Sequence, residues 1–285
     1  MAKKFDPNQL KNLYFPDHDS SGEDNGQITI IGGSELFHGA PLYAVKIASR
    51  IVDMAFFSSP EKSVGSIAEN MKSKLLSFIW VPWEEIDSYI QKSDAVLIGP
   101  GFMRFHSEKT DNEKRFEECD EVCQITKNIT QDLLEKFPDK KWVIDAGSLQ
   151  TMEPEWIPKN AILTPNKKEF KYLFGNMDPQ KAADKYKCIL VIKGPTTIIY
   201  SANEEEIEIN GGNPGLTKGG TGDVQAGLTV ALLAKNEPLL SACVGSFITK
   251  KSADELHKKV GPYYNADDLA DIIPEILNNT VYNRV

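Results

Sequence analysis

The chain has 285 residues, of which 41% are hydrophobic and 26% charged, and its 41 acidic and 32 basic side chains give a formal net charge of -9. This hydrophobic fraction suffices for a full core and excludes a disordered chain. The acidic balance argues against nucleic acid or an acidic membrane surface as the main partner, although a local group of backbone N–H donors can still bind an anion.

The sequence also predicts where the protein is located. No hydrophobic run reaches the ~20 residues of a membrane-spanning helix, and no apolar stretch follows the lysines of the first ten residues. The four cysteines are too few and too scattered for a disulfide scaffold, which favours a cytoplasmic protein. Cys119 and Cys123 continue an apolar stripe with Phe116 and Val122, so we expect core packing rather than a metal site.

Predicted elements alternate along the chain. Residues 1–26 form a polar N-terminal segment with a short helix, ahead of one domain spanning 27–285. Buried strands are predicted in QITIIGG, DAVLIGPG, KWVIDAG, AILT and KCILVIKG, and helices in APLYAVKIASRIVD, from Asn112 to Phe137, and in NKKEFKYLF. TTIIYS and EEIEIN predict an antiparallel edge hairpin, and three helices follow from Gly222. This alternation is typical of an α/β fold with a mainly parallel sheet and helices on both faces.

The densest motif is NPGLTKGGTGDVQAGLTVALLA, residues 213–234, where glycines precede an apolar helix. A glycine-rich loop entering a helix presents unpaired N–H groups and the positive end of the helix dipole, which favour phosphate. Asp223, in the first turn, either complements the dipole or acts as a general base toward a hydroxyl that attacks a phosphate. The motif matches neither a Walker A loop nor G-x-G-x-x-G.

GGTGD at the start of a helix resembles the signature of the ribokinase-like superfamily. Five more segments occur in the order and approximate spacing of the ADP- or ATP-dependent NAD(P)HX dehydratases: IGGSELFHGAP (31–41), LIGPG (97–101), IDAGSL (144–149), LTPNKKEF (163–170) and VIKGPTTII (191–199). The resemblance implies a three-layer ribokinase-like fold. It also implies an enzyme that phosphorylates the ring hydroxyl of hydrated NADH or NADPH and then eliminates phosphate, using Mg²⁺ and ADP or ATP.

The resemblance assigns roles to individual residues. The catalytic base is Asp223. The anion hole for the transferred phosphoryl group would be formed by Gly219, Gly220, Thr221 and Gly222. The nucleotide contacts fall on Lys193, Gly194, Pro195, Thr196, Thr197 and Gly222. The substrate contacts fall on Ala40, Pro41, Gly101, Asn166 and Asp223. The alternative for Lys193 is an ordinary surface lysine at the end of a strand. The alternative for Ala40, Pro41 and Gly101 is turn chemistry, since Gly and Pro need no ligand to explain a bend.

One segment departs from the family pattern. Where the family has L-T-P-H-x-G-E, this chain has Asn166-Lys167-Lys168-Glu169, and asparagine cannot titrate near neutral pH. The change restores the N-x-x-E pattern of ribokinase-like kinases, so Asn166 and Glu169 are expected to hold Mg²⁺ through water. Glu169 could equally be a first-turn helix acid. Asp145, at the end of a predicted strand, could orient metal-bound water or cap the following turn.

Two other functions stay open on the sequence. The N-x-x-E pattern slightly favours a kinase of a small hydroxylated metabolite, and Asn166 also allows a nucleotide-binding protein without turnover. For the dehydratase, a separate NAD(P)HX epimerase is expected as partner, since only 26 residues precede the first predicted strand. The family also implies that a homo-oligomer can form.

Overall fold

The computed structural model describes residues 2–104 and 119–281. In these residues one sheet contains the strands β1 (Lys3–Lys4), β2 (Gln27–Ile31), β3 (Met54–Ser58), β4 (Ile79–Trp80), β5 (Ala95–Ile98), β6 (Lys141–Ile144), β7 (Ile162–Leu163), β8 (Ile189–Ile192), β9 (Thr197–Tyr200) and β10 (Ile207–Ile209). The α-helices are α1 (Gly39–Ala48), α2 (Lys62–Met71), α3 (Ile86–Lys92), α4 (Glu121–Lys136), α5 (Ala146–Thr151), α6 (Lys167–Phe174), α7 (Pro179–Tyr186), α8 (Thr221–Lys235), α9 (Pro238–Val260) and α10 (Ala266–Val281).

The strand order is β1-β10-β9-β8-β7-β6-β5-β2-β3-β4. All pairs from β8 through to β4 are parallel, whereas β9 runs antiparallel to both β8 and β10. β2 and β5 are buried along their whole length, which explains why β5 is an unbroken apolar run and β2 is apolar apart from Gln27 and Thr29. The mainly parallel sheet and the antiparallel hairpin are therefore confirmed, but the hairpin is not the edge of the sheet, because β1 pairs with β10 on its outer side.

Helices cover both faces of the sheet and give three layers. On one face α1, α2, α8 and α9 contribute to a core with the strands, and on the other face α3 to α7 do the same. A third apolar cluster joins α8 and α9 to α1 and α10. α8 lies between the sheet and these helices, so it is buried almost all round.

The N-terminal segment is more ordered than expected. Its short helix is a 3₁₀ helix over Pro7–Asn12 that buries Leu10, and β1 adds a strand beside β10. No helix in the part of the chain that the structure describes is long and apolar enough to cross a membrane.

The predictions around α4 need correction. The helix begins at Glu121 with Asp120 as N-cap, and the rest of its predicted start, with Phe116, lies outside the described residues. The expectation of two core thiols is wrong, because Cys119 and Cys123 form a disulfide with their Cα atoms 5.3 Å apart. Cys119 precedes the N-cap, so it is exposed in the turn rather than on the apolar stripe, and only Cys123 is buried.

Candidate active site

The motif segments meet at the edge of the sheet where its parallel strands end. β2 is followed by Gly33, β5 by the turn that contains Pro100, β6 by Asp145 and β8 by Lys193. The Gly33 amide donates to the Pro100 carbonyl over 2.8 Å, and Asn166 pairs with Lys193 in an isolated parallel bridge. Ligands of open α/β sheets bind at this edge.

A buried ion pair lies at the centre of this edge. Lys193 Nζ donates to Asp145 Oδ1 over 2.8 Å, and Asp145 is only 2% exposed. Burial alone would lower the pKa of Lys193, but Asp145, Glu169 and Asp223 outweigh it and raise this pKa above its ordinary value. Lys193 is therefore a paired, permanently charged group rather than a free surface lysine. Asp145 occupies the N-cap position of α5 but makes no side-chain cap bond there.

Asp223 lies in the first turn of α8, partly exposed and within the electrostatic field of this pair. Burial, together with the charges of Asp145 and Glu169, raises its pKa to about 7, while Lys193 acts in the opposite direction. A carboxyl group with this pKa is available as a base near neutral pH and is still basic enough to accept a proton from a hydroxyl.

The glycine loop leads directly into α8. Gly220 is the N-cap, with φ of 90°, and a Cβ there would lie 2.6 Å from the Tyr43 ring and 2.8 Å from the Ala266 Cβ. The position therefore requires glycine for both its conformation and its packing. A Cβ at Gly219 would meet nothing within 4 Å. No side chain caps α8, so the positive end of its helix dipole, beside the loop, can bind an anion.

Thr221 has a different role from its glycine neighbours. Its hydroxyl donates to the carbonyls of Leu216 and Lys218, at 2.7 and 2.8 Å, and its side chain is buried. Its backbone N–H also reaches the Lys218 carbonyl, at 3.4 Å. These bonds close the loop on itself, so Thr221 stabilises the loop shape from within.

The predicted nucleotide segment turns from β8 into β9. Pro195 and Thr196 are exposed at this turn, whereas Thr197 begins β9 and is only 2% exposed. A Cβ at Gly222 would lie 3.5 Å from Lys193 Nζ, which brings the start of α8 beside this segment. Gly222 is thus close to the Lys193 ammonium group, and residues 194–196 directly follow Lys193 in the chain.

The predicted substrate segment lies at the start of α1. A Cβ at Gly101, where φ is 75°, would lie 2.5 Å from the Phe37 carbonyl oxygen and 3.0 Å from Pro41 Cδ. Gly101 and Pro41 are buried against each other and shape the loop, and Ala40 is partly exposed. Leu36 and Phe37 are 57% and 38% exposed on the same loop. The sequence prediction of the site did not include this exposed apolar pair.

Asn166 and Glu169 form a capping box at the start of α6. Asn166 Oδ1 accepts from the amides of Lys168 and Glu169, at 2.8 and 2.9 Å, and Glu169 Oε2 accepts from the Asn166 amide over 2.8 Å. The other oxygen, Glu169 Oε1, accepts from Gln150 Nε2 over 2.9 Å. Glu169 is therefore a first-turn helix acid, as the alternative had it. Its buried carboxylate nevertheless lies close enough to Lys193 to raise the pKa of that lysine.

The donor chemistry of this edge fits Mg²⁺ held through water. Asp145, Glu169 and Asp223 present carboxylate oxygens, the ligands that this hard cation prefers. Among the described residues no three acidic, histidine or cysteine side chains are close enough to hold a metal directly. Water and nucleotide phosphates, rather than a protein cage, would complete the coordination, as is usual for Mg²⁺.

Comparison with known proteins identifies the family. A family model described as NAD(P)H-hydrate dehydratase matches residues 28–275. This chain belongs to the NAD(P)H-hydrate dehydratase family. A bifunctional NAD(P)H-hydrate repair enzyme of Methanocaldococcus jannaschii is 35% identical over 278 residues, which cover 94% of this chain and 51% of that protein. An ADP-dependent (S)-NAD(P)H-hydrate dehydratase of Nitrosopumilus maritimus is 28% identical, covering 97% of this chain and 96% of that protein.

The chain thus spans about half the length of the bifunctional relatives it matches. Among solved structures, an ADP/ATP-dependent NAD(P)H-hydrate dehydratase of Bacillus subtilis, co-crystallised with ATP and Mg²⁺, superposes with a TM-score of 0.77 at 19% identity, covering 98% of this chain and 99% of that one. A ribokinase of Thermotoga maritima superposes with a TM-score of 0.54 at 14% identity, covering 89% and 100%. These structures confirm the ribokinase-like fold.

Proposed function

We propose that this chain is an ADP- or ATP-dependent NAD(P)H-hydrate dehydratase that returns hydrated NADH and NADPH to their dihydronicotinamide forms. The observation that carries the proposal is the position of Asp223. It combines a pKa raised to about 7 with a place in the first turn of α8, beside the glycine loop and Lys193. The family membership of residues 28–275 supports the same reaction.

In the first step Asp223 accepts the proton of the ring hydroxyl. The hydroxyl oxygen forms a bond to the terminal phosphorus of the nucleotide, and the bond from that phosphorus to the leaving nucleotide breaks. In the second step phosphate leaves the ring with its bonding electron pair. Water takes a proton from the adjacent ring carbon, and the electron pair of that carbon–hydrogen bond forms the new carbon–carbon double bond of the dihydronicotinamide.

The other residues bind and orient the two substrates. Backbone N–H groups of residues 219, 220 and 222 hold the transferred phosphoryl group, while Thr221 keeps the loop in shape. Lys193 with residues 194–197 holds the nucleotide. The part of the site that binds the hydrated dinucleotide is formed by Ala40, Pro41, Gly101 and Asn166. Lys193 also donates to Asp145 Oδ1 over 2.8 Å, so this pair is in place before substrate arrives.

Mg²⁺ is the proposed metal, held through water by Glu169, with Asp145 nearby. Asn166 orients Glu169, because its Oδ1 already accepts from the Lys168 and Glu169 amides. When bound, the ion neutralises charge on the phosphates during transfer. The structure of the Bacillus subtilis relative with ATP and Mg²⁺ supports this choice.

We also propose one catalytic domain over residues 27–285, because the motif segments from 31 to 223 converge on one site. A cytoplasmic location is a separate proposal, and the Cys119–Cys123 disulfide counts against the cysteine argument for it. An NAD(P)HX epimerase is the proposed pathway partner. Hydration creates a stereocentre on the ring, and the name of the Nitrosopumilus maritimus relative specifies the (S) form. Assembly into a homo-oligomer is a further proposal, which measurement of the mass in solution would test.

Incubation with hydrated NADH, Mg²⁺ and either ADP or ATP tests the function. The expected result is recovery of the dihydronicotinamide absorbance together with release of one phosphate for each molecule restored. No recovery, combined with phosphorylation of a sugar or vitamin-precursor alcohol, would replace the proposal by the kinase alternative.

A further inference from the structure

Lys250 on α9 is a buried lysine, 6% exposed, whose ammonium group lies between two loops of the site. Its Nζ donates to the carbonyls of Gly194 and Pro195, at 3.0 and 2.7 Å, and to the carbonyl of Gly211 at 2.9 Å. The first two residues directly follow Lys193, while Gly211 follows β10 and leads toward the glycine loop. One side chain therefore joins the nucleotide segment to the segment that leads to the anion-binding loop.

The count of donors defines what Lys250 can do. An ammonium group has three N–H donors and no acceptor, and three carbonyls occupy all of them. Lys250 therefore acts on its loops rather than on a phosphate. Because the peptide unit is planar and trans, a Pro195 carbonyl turned toward α9 directs the N–H of Thr196 away from it. The lysine thus orients a backbone donor of the nucleotide segment.

Asp254, one turn further along α9, holds the second segment. Its carboxylate accepts from the Gly212 amide over 3.0 Å and from Asn213 Nδ2 over 3.3 Å. Gly211 has φ of 99°, and a Cβ there would lie 2.9 Å from Asp254 Oδ2. A side chain at Gly211 would therefore have to displace the Asp254 carboxylate that holds the Gly212 amide.

We propose that Lys250 is a positioning residue for the nucleotide site. By fixing residues 194–195 against residue 211, it keeps the phosphate-binding donors in place before nucleotide binds, and this lowers the cost of ordering them on binding. The inference rests on the proposed function, since it takes residues 193–197 and 219–222 as the nucleotide site.

Two variants and a matched control test this role. Lys250→Met keeps the length of the side chain and removes every donor, whereas Lys250→Arg keeps donors. Ile248→Ala truncates a fully buried residue on the same helix, within the cluster that joins α8, α9 and α10, so it destabilises the fold without contacting the two segments. Affinities for ADP and ATP are measured by direct titration, and KM values are measured for nucleotide and for hydrated NADH.

Lys250→Met is expected to weaken ADP binding by about tenfold or more, because the backbone donors of the nucleotide segment would no longer be ordered before ADP binds. Its KM for hydrated NADH should stay within about twofold of wild type. Lys250→Arg should recover most of the affinity, and Ile248→Ala should lower Tm without changing ADP binding. If Lys250→Met does not fold, Lys250→Gln, with two donors, should bind ADP more weakly than Lys250→Arg.

The inference is overturned if Lys250→Met binds ADP as the wild type does, if both KM values rise equally, or if Ile248→Ala loses as much ADP affinity. Equal affinities of Lys250→Gln and Lys250→Arg overturn it as well. A wild-type protein that binds neither ADP nor ATP contradicts the proposed function itself, so the two failures are distinguishable.

Discussion

Asp223→Asn should stabilise the protein at neutral and alkaline pH. Burial, with the charges of Asp145 and Glu169, raises the pKa of Asp223 from its ordinary 3.8 to about 7, although Lys193 opposes the rise. Each pKa unit corresponds to about 1.4 kcal/mol, so ionising this carboxyl in the folded state would cost about 4 kcal/mol if it were fully buried. Because Asp223 is partly exposed, solvent screening reduces the expected cost to about 2 kcal/mol.

The pH dependence of this effect has a defined sign. Between its two pKa values, about 4 and about 7, Asp223 keeps its proton in the folded state and releases it in the unfolded chain. Its contribution to wild-type stability is therefore complete below the unfolded pKa and is lost as the pH rises through the folded pKa. The free energy of unfolding of Asp223→Asn minus that of wild type should be near zero below about pH 4 and level off above about pH 7.

Thermal unfolding of both proteins from about pH 4 to 9, without ligand, measures this difference, and about 2 kcal/mol corresponds to a gain in Tm of roughly 4–8 °C. Asp184→Asn is the control, because the Asn203 amide and then Gln180 lower the pKa of this exposed aspartate, so its effect should have the opposite sign. A difference between Asp223→Asn and wild type that does not change with pH, or a less stable Asp223→Asn at pH 8, would refute the reasoning.

Three further predictions concern the loop, the ion pair and the capping box. Gly220→Ala should abolish turnover and lower the free energy of unfolding by about 2 kcal/mol or more, because its Cβ would meet the Tyr43 ring and its φ is positive. Gly219→Ala adds a Cβ in open space, so thermal unfolding should show a loss of stability under about 1 kcal/mol. Asp145→Asn removes a charge that raises the pKa of Asp223, so the acidic limb of kcat/KM should move to lower pH, and an unmoved limb would contradict this coupling. Glu169→Ala removes half of a capping box, so denaturant unfolding should show a free energy of unfolding about 1 kcal/mol below that of wild type. Glu169→Gln, which can still accept the Asn166 amide, should recover most of that stability.

Most of the sheet could be predicted from the sequence because its central strands are buried on both faces. Four of these strands are mostly apolar: β2, β5, β6 and β8. A glycine follows β2 and β5 directly and β8 after one residue, whereas Asp145 follows β6. The region between β2 and β5 was not assigned beyond α1. It contains β3, a buried and mostly apolar strand that the same reasoning identifies, and β4, which has only two residues and so gives no pattern. It also contains α2, whose buried face is made of the small or medium-sized residues Val64, Gly65 and Ala68.

Long-range pairing explains the other differences. β1 has two lysines and exists because its backbone pairs with β10, about two hundred residues later, which no local pattern reveals. The Cys119–Cys123 bridge depends on where α4 begins, since one cysteine precedes the N-cap and the other lies in the first turn.

The candidate site was predictable to different depths. Asp223 and residues 219–222 stand out because a glycine loop and a helix start are adjacent in sequence. The partners that determine their chemistry come from distant strands and helices. Lys250 is an ordinary helix lysine by pattern, and only the fold shows that its ammonium group holds three carbonyls of two loops.

The role of Asp223 as base is the central claim, and one measurement tests it most directly. Turnover of hydrated NADH with ADP or ATP and Mg²⁺ is compared between wild type and Asp223→Asn, alongside the affinity of each protein for nucleotide. We predict a loss of about 10²–10⁴-fold in turnover, the range expected for a general base, with nucleotide affinity nearly unchanged. Turnover by Asp223→Asn at the wild-type rate would contradict the account.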